Sequence, residues 1–309
     1  MILPDLNSYR TTFFKKGISY PLSPVRSNRN GLLSELPIPL EGGVGWPWQE
    51  ETNAKIYSDR IDWPKLTIVT PSYNQAAFLE QTIRSVLLQN YPNLEYIVVD
   101  GGSNDGSQEI IERYSPWISF WQSEKDDGQG QAINKGFSLA SGNYFGWINS
   151  DDYYLKDVFH IVIEQFLIKK KEFIYGYAYN FNVVSKEMSL IKLLPFIDYF
   201  IKIPTLAQPS CFWSADIHQP IWEELNCSLD FELWLRMVKG QTRQLIKLPL
   251  SVANIHQDAK TTDPKMKERW HTDHLKIWSP EGHGTVYEWH RISFLFRLRK
   301  RIYKLLHLD

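Results

Sequence analysis

The sequence is poor in cysteine, contains no long apolar run and carries almost no net charge. Its two cysteines, Cys211 and Cys227, are too few for a disulfide framework or a cysteine-based zinc site, and we expect small buried thiols in a reducing cytosol. Residues 1–10 lack the apolar segment of a secretory signal, and no apolar run reaches the ~18 residues of a membrane span, so a soluble cytoplasmic protein is predicted. A net charge of −1 offers no global basic field for nucleic acid.

Aromatic residues are abundant, at 14% of the chain. They suit the walls of sugar or nucleotide pockets and equally a packed core. The overall composition, 43% hydrophobic and 22% charged, is that of a globular protein. A length of 309 residues allows one large α/β domain with appendages or two smaller domains.

Strand and helix patterns alternate through the middle of the chain. β-branched and aromatic runs predict strands at 65–70, 94–100, 118–122, 144–148 and 244–252, with further strands within 173–194. Apolar residues at helical spacing predict helices at 75–89, up to 114, around 132–140, 158–171 and 228–238. This order is the signature of parallel βαβ units, and it predicts an α/β fold with a central, mostly parallel sheet flanked by helices.

The chain divides into three parts. Residues 1–63 have scattered Pro, Gly and Ser with little periodicity, which predicts an extended N-terminal arm. Residues 64–262 predict the main domain, with halves at 64–152 and 153–262, and residues 263–309 predict a C-terminal extension.

The end of the chain predicts a basic amphipathic helix over 291–308, after a polar segment that runs to about residue 284. Its predicted apolar face consists of Ile292, Leu295, Phe296, Leu298, Ile302 and Leu306, and its opposite face of Arg297, Lys300, Arg301 and Lys304. Two interpretations remain open. The helix can dock on the domain, or residues 291–309 can make a peripheral contact with an anionic membrane surface.

Acidic residues follow the aromatic strand at 144–148, which ends in Asn149, Ser150, Asp151 and Asp152. Open α/β sheets bind ligands at the carboxyl ends of their strands, and carboxylates there can bridge a divalent cation to substrate phosphates. A polar turn or a helix N-cap explains the same residues equally well.

Motifs at three predicted strand ends make the chain resemble the family 2 glycosyltransferases. They are Pro71-Ser72-Tyr73-Asn74, the run from Asp100 to Ser107, and Asn149-Ser150-Asp151-Asp152. The similarity covers residues 65–152 and continues to about residue 262. It implies a Rossmann-like A-type glycosyltransferase fold that inverts the anomeric centre, with the first half of the main domain binding the nucleotide sugar and the second half binding the acceptor.

The resemblance implies several donor-binding residues. Pro71, Tyr73 and Asn74 match the motif that cradles the base and ribose, Asp100 matches the acid that reads the nucleobase edge, and Asp105 matches a nearby acid of the next loop.

Two further acids, Asp126 and Asp127, fall where the family places a donor-contacting acid before its Asn-Lys-Gly helix. Asn134 and Lys135 begin that Asn-Lys-Gly motif here. The predicted donor is a UDP-sugar.

A divalent metal, Mn²⁺ or Mg²⁺, is also implied. Asn149, Ser150 and Asp151 occupy the Asp-x-Asp metal motif, with Asn149 where the family usually has Asp, which leaves Asp151 and Asp152 as ligands. His256 lies where related enzymes sometimes have a third metal or phosphate contact, and a purely structural histidine is the alternative.

The predicted catalytic base is Asp230, with Glu232 as the alternative. An inverting transfer requires a base that accepts the proton of the acceptor hydroxyl. An ordinary acid in the first turn of a helix, stabilised by the helix dipole, explains Asp230 equally well. The loop at 257–267 is a candidate lid over the donor.

Other classes of protein fit less well. The first strand does not lead into Gly-x-Gly-x-x-Gly, which disfavours an NAD-dependent enzyme, and the Gly-rich basic loop of a sugar nucleotidyltransferase is missing. A catalytically inactive relative that binds nucleotide sugars as a scaffold stays open because of Asn149. The sequence therefore predicts a metal-assisted glycosyltransferase that acts on a glycan or lipid-linked acceptor in surface polysaccharide biosynthesis, on the inner face of a membrane.

Overall fold

The computed structural model describes residues 1–26, 30–40, 43–195, 198, 206–257, 259–280 and 282–305. The strands are β1 (Leu66–Ser72), β2 (Leu94–Asp100), β3 (Phe120–Ser123), β4 (Tyr144–Trp147), β5 (Tyr153–Tyr154), β6 (Phe173–Asn182), β7 (Met188–Ile191), β8 (Cys211–Ser214) and β9 (Arg243–Ile255). The α-helices are α1 (Leu6–Lys15), α2 (Ala76–Leu87), α3 (Ser107–Tyr114), α4 (Gln129–Leu139), α5 (Val158–Lys169), α6 (Leu229–Met237), α7 (Lys267–Ile277) and α8 (Val286–Leu305).

One sheet runs through the molecule in the order β3-β2-β1-β4-β8-β6-β9-β5, with β7 paired to β6. The first four strands in this order are parallel to one another. β8 pairs antiparallel with β4 on one side and with β6 on the other, and β6 and β9 are parallel. The predicted α/β class is confirmed. The antiparallel pairs all involve strands β4 to β9, and two of these strands, β5 and β8, were not predicted from the sequence.

Strands β1 and β2 are buried on both faces because helices cover each side of the sheet. Val69 and Ile97 belong to one apolar cluster with α4 and α6, whereas Ile68 and Val98 belong to a second cluster with α2, α3 and α5. Helix α4 lies close to β1, since a Cβ on Gly136 would approach Val69 Cγ1 to 2.5 Å. This burial explains the uninterrupted apolar runs of β1 and β2.

The N-terminal arm is not wholly extended, because residues 6–15 form α1, a helix that the sequence analysis did not predict. Its hydrophobic residues are few, and tertiary contacts hold it: Tyr9 donates to Glu223, and Arg10 donates to the Ser138 carbonyl at 2.7 Å. Further along, the buried Arg84 donates to the carbonyls of Pro37, Pro47 and Trp48 and so fixes the arm on α2.

The C-terminal extension contains a second unpredicted helix, α7, inside the segment expected to be polar and irregular. Helix α8 is present as predicted, but its apolar face is divided. Ile292 is buried, whereas Leu298 and Ile302 are 47% and 45% exposed, so the residues predicted to share one apolar face are not equally buried. Leu306 lies outside the described residues. None of the described helices is both long and apolar enough to span a bilayer.

Candidate functional site

The carboxyl end of β4 is organised by the side-chain amide of Asn149. Its Oδ1 accepts hydrogen bonds from Trp147 Nε1 and Gln129 Nε2, each at 2.8 Å, and its Nδ2 donates to Gln208 Oε1 at 3.3 Å. Gln208 in turn donates to the Trp147 carbonyl at 2.6 Å. Asn149 therefore joins β4, α4 and the turn before β8, and both ends of its amide have protein partners.

A carboxylate and an imidazole meet beside this network. Asp151 Oδ2 lies 3.3 Å from His256 Nε2, and the Asp151 side chain is 21% exposed whereas His256 is buried against the ring of Phe78. Asp152 turns inward, where its Oδ1 accepts from Asn254 N at 3.2 Å. Burial raises the pKa of Asp152 well above its ordinary value, and the charge of Asp151 raises it further.

The turn at Ser150 is fixed from α2, because Thr82 Oγ1 donates to the carbonyls of Ser150 and Asp152 at 2.9 and 2.6 Å. Within the described part of the chain, no three His, Cys, Asp or Glu side chains converge on one point as a metal cage. The chemistry of Asp151 and His256 nevertheless fits a divalent cation that completes its coordination with donor phosphates and water. A cation there would relieve the repulsion that raises the pKa of Asp152.

A lysine that the sequence analysis did not select, Lys260, lies at the same edge. Its Nζ donates to Gln129 Oε1 and to the Asn226 carbonyl, each at 2.7 Å. Burial lowers its pKa, and the charge of Asp151 is among those that oppose this effect. A lone lysine in a polar loop gives no motif signal, because its partners come from α4 and from the loop before α6.

A cavity of about 350 Å³ lies between the end of β1 and the first turn of α2. Asn74 adopts a positive φ of 51°, and Asp105 accepts from Ala76 N at 2.9 Å and from both the amide and the hydroxyl of Ser107. Although burial raises the pKa of Asp105, these hydrogen bonds lower it below its ordinary value. Four of the predicted site residues thus share this cavity: Tyr73, Asn74, Asp105 and His256. The other residues that line it are Gln75, Ala76, Ala77 and Phe78.

Asp100 is fully buried at the end of β2. Its carboxylate accepts four hydrogen bonds within the protein, from Gly102 N, from Ser103 N and Oγ, and from Ser123 Oγ, at 2.6–3.1 Å. Pro71 is likewise buried, within β1. The structure thus shows Asp100 shaping the loop after β2, and its contact with a nucleobase stays a prediction.

The predicted residues around the start of α4 differ in their environments. Asp126 is partly buried, which raises its pKa, while Asp127 is exposed. Asn134 is buried, and its Nδ2 donates to the Ile221 carbonyl and to Glu223 Oε1 at 2.9 and 2.7 Å. It therefore ties α4 to the loop before α6. Neither Asn134 nor Lys135 lines the cavity described above.

Asp230 lies in the first turn of α6, near Cys211 at the start of β8. Burial raises the pKa of the Cys211 thiol, and the charge of Asp230 raises it further. In the antiparallel pairing of β4 with β8, Gly146 lies opposite Phe212, so Cys211 adjoins Trp147 at the end of β4. Asp230 thus belongs to the same edge as Asn149. Burial raises its pKa from 3.8 to about 6, although the backbone amides of Phe231 and of Asp230 itself lower it.

Glu232 has a different environment from Asp230. It is fully buried, forms a bidentate ion pair with Arg236 at 2.6 and 2.8 Å, and lies 2.9 Å from His283 Nε2. Burial raises its pKa, but the hydrogen bonds from His283 and Arg236 outweigh burial and lower the pKa. Both oxygens of Glu232 are therefore engaged within the protein.

A mostly parallel α/β sheet with a cavity, carboxylates and a half-buried cation at the carboxyl ends of its strands defines a nucleotide-binding protein of the open-sheet class. Comparison with known proteins names the family. Residues 67–218 match the family described as Glycosyl transferase family 2. An uncharacterized glycosyltransferase of Rickettsia typhi is 30% identical over 232 residues, covering 70% of this chain and 71% of the relative. The chain therefore belongs to glycosyl transferase family 2 and is a glycosyltransferase.

Two more relatives bear on fold and biology. Bacillus subtilis TuaG, provisionally named as a teichuronic acid biosynthesis glycosyltransferase, is 37% identical over 97 residues, covering 30% of this chain and 38% of TuaG. The structure of S. aureus TarS 1-349 in complex with UDP-GlcNAc matches with a TM-score of 0.55 at 15% identity, covering 74% of this chain and 70% of that one. The structural likeness shows the A-type glycosyltransferase fold.

The amide at position 149 is expected to be required for stability when no metal is present. In Asn149→Asp a carboxylate oxygen would face Gln208 Oε1 at about the present 3.3 Å, and Gln208 cannot reverse its amide without losing its bond to Trp147. We expect the free energy of unfolding in EDTA to fall by about 1–3 kcal/mol, measured by chemical denaturation.

Asn182→Asp is the matched control. Asn182 Oδ1 accepts hydrogen bonds from Val184 N and Ser185 N, and a carboxylate oxygen at this position would accept them equally well. Equal stability of the Asn149→Asp variant and the unsubstituted protein in EDTA would contradict the role assigned to Asn149.

Proposed function

We propose that this glycosyltransferase is inverting and metal-assisted, and that it transfers a sugar from a UDP-sugar to a hydroxyl of a glycan or lipid-linked acceptor in surface polysaccharide biosynthesis. One observation carries the proposal: two unlike carboxylates lie at one end of the sheet. Asp151 is paired with His256, whereas Asp230 has no ion-pair partner among the described residues and a pKa raised by burial to about 6. The names of TuaG and of the TarS complex support the acceptor class and the UDP donor.

The nucleoside of the donor is assigned to the cavity between β1 and α2. Tyr73 is 62% exposed at its rim and offers an aromatic face for stacking, while Asn74 and Asp105 supply amide and carboxylate oxygens for the ribose or the base. His256 lines the same cavity and also contacts Asp151, so the diphosphate of a nucleotide seated there extends toward Asp151.

The leaving group is a nucleoside diphosphate, whose negative charge grows as the glycosidic bond breaks. Asp151 and His256 would hold a divalent cation, which would supply electrostatic stabilisation of that charge. Lys260 adds a second positive charge, since its ammonium is held by two neutral oxygen acceptors, from Gln129 and Asn226. Its hydrogen bonds can be exchanged for phosphate oxygens without breaking an ion pair.

The transfer step needs one base. Asp230 accepts the proton of the acceptor hydroxyl, the hydroxyl oxygen forms a bond to the anomeric carbon, and the bond from that carbon to the diphosphate oxygen breaks. A base with a pKa of about 6 is mostly ionised at neutral pH and is still basic enough to accept the proton. Glu232 is disfavoured for this role, since Arg236 and His283 occupy its oxygens.

Asp230→Asn is expected to lower UDP release from a UDP-sugar by about 10²–10⁴-fold. In the unsubstituted enzyme, kcat should fall below pH 6, because the base becomes protonated.

The stability of the folded protein should depend on pH in the opposite direction from kcat. The native pKa lies above the ordinary 3.8, so stability falls as pH rises from about 4 to about 6, and ionised Asp230 costs the native state at most about 3 kcal/mol at neutral pH.

Asp230→Asn removes that cost, so its melting temperature at pH 7.5 should rise. Asp216→Asn, an exposed acid of the turn after β8, is the control and should change neither property. Full activity of Asp230→Asn would reject the base. Absence of turnover in the unsubstituted enzyme, with UDP bound, would favour the inactive scaffold.

The exposed stripe of α8 supports a further part of the proposal, a peripheral contact with an anionic membrane on the cytoplasmic side. Phe294, Leu298, Ile302 and Leu305 recur at spacings of four, four and three residues and are 45–78% exposed. Four exposed basic residues border the stripe: Arg297, Lys300, Arg301 and Lys304. Apolar insertion combined with this positive charge matches an anionic lipid surface.

We expect the protein to sediment with vesicles of phosphatidylcholine and phosphatidylserine, and we expect this sedimentation to require the exposed apolar stripe of α8. The triple variant Phe294→Ser/Leu298→Ser/Ile302→Ser should remain in the supernatant, because the buried contacts of α8 are kept and the apolar stripe is lost. A matched control, Ile38→Ser/Val44→Ser/Ile61→Ser, removes exposed apolar residues of the N-terminal arm and should sediment like the unsubstituted protein. Equal sedimentation of all three proteins would contradict membrane contact through α8.

A further inference from the structure

A buried acid of the C-terminal extension, Asp273, contacts the loop before α6. Its two carboxylate oxygens accept from Asn226 N at 3.1 and 3.0 Å, and Oδ2 also accepts from Cys227 N at 2.7 Å and Ser228 N at 3.0 Å. Asp273 is 0% exposed. Three consecutive backbone amides of one segment therefore converge on a single carboxylate of another.

These hydrogen bonds fix the segment that leads into α6, although they do not reach the first amides of the helix itself. The first amides of a helix have no partners within it, and a side chain at the N-cap normally accepts from them. Ser228 occupies the N-cap of α6 but makes no side-chain capping bond. Asp273 fixes the three residues immediately before the helix instead, from α7. Asp230 follows Ser228 by two residues, so the direction of its side chain depends on this segment.

The rest of α7 and the loop after it hold neighbouring parts of the same edge. Trp270 Nε1 donates to the Lys260 carbonyl at 3.0 Å, and Lys276 Nζ donates to the Glu224 carbonyl at 2.7 Å. His283, which follows α7, contacts Glu232 in the first turn of α6. All of these donors lie beyond residue 218, where the family match ends.

We infer that Asp273 is a positioning residue for the transfer step: by fixing residues 226–228 it holds Asp230 in the partly buried position from which it acts as the base. The inference rests on the proposed role of Asp230. The titratable and charged groups at this junction are Cys211, beside Asp230, together with Cys227, Lys260 and Arg269, which lie near Asp273. The acceptor half of the site is thus completed by a helix of the C-terminal extension.

The test is Asp273→Asn, which keeps the size of the side chain but turns an NH₂ group toward backbone amides. We expect kcat for UDP release from a UDP-sugar to fall at least tenfold, with the KM for the donor changed less than threefold, because the nucleoside cavity does not include residues 226–228. The acidic limb of the pH profile of kcat should move below pH 6, since a loosened α6 start exposes Asp230 to water. A merely structural role would leave this limb in place.

Glu268→Gln is the matched control on the same helix, since Glu268 is an exposed acid in the first turn of α7, and it should leave kcat and the pH profile unchanged. Asp273→Glu retains a carboxylate and should recover part of kcat. An unchanged kcat in Asp273→Asn overturns the inference, and so does loss of the folded state in both Asp273 variants. If Asp230→Asn is fully active, the proposed function fails; if Asp230→Asn is inactive while Asp273→Asn is fully active, only the present inference fails.

Discussion

The hydrogen-bonded amide of Asn149 is the contact on which the rest of the site depends. It joins the end of β4 to α4 through Gln129 and to the turn before β8 through Gln208. Because β4 is the strand at which the parallel half of the sheet meets the antiparallel β8, this contact holds the two halves in register where both present functional groups. An amide can do this because it donates and accepts at once, which a carboxylate cannot.

The same edge separates two kinds of carboxylate by their surroundings. Asp151 stays accessible beside His256 and suits a cation and phosphates, whereas Asp230 is partly buried without an ion pair, which raises its pKa to about 6. Glu232, two residues further along α6, has the opposite environment, since Arg236 binds both of its oxygens. Position on the fold, more than residue type, thus decides which acid can act as a base.

Much of the fold was readable from the sequence, because apolar runs and turn residues mark the strands and helices from β1 to β4. Helices α1 and α7 were not predicted, since tertiary contacts such as Asp273 with residues 226–228 hold them and local apolar periodicity does not reveal such contacts. The motif at the end of β4 selected Asp151, and the family resemblance selected His256 and Asp230. These signals could not reveal Lys260, because its role depends on partners from two distant segments, α4 and the loop before α6.

The central claim is that a nucleoside diphosphate binds at this edge through a metal held by Asp151. The most direct measurement is a thermal-shift panel of UDP, GDP, dTDP and CMP with Mn²⁺, Mg²⁺ or EDTA, on the unsubstituted protein and on Asp151→Asn, because a ligand that binds only the native state raises its melting temperature. We expect UDP together with a metal to raise the melting temperature of the unsubstituted protein. This rise should be lost in EDTA and in the Asp151→Asn variant. An equal shift under all conditions, or none with any nucleotide, would contradict it.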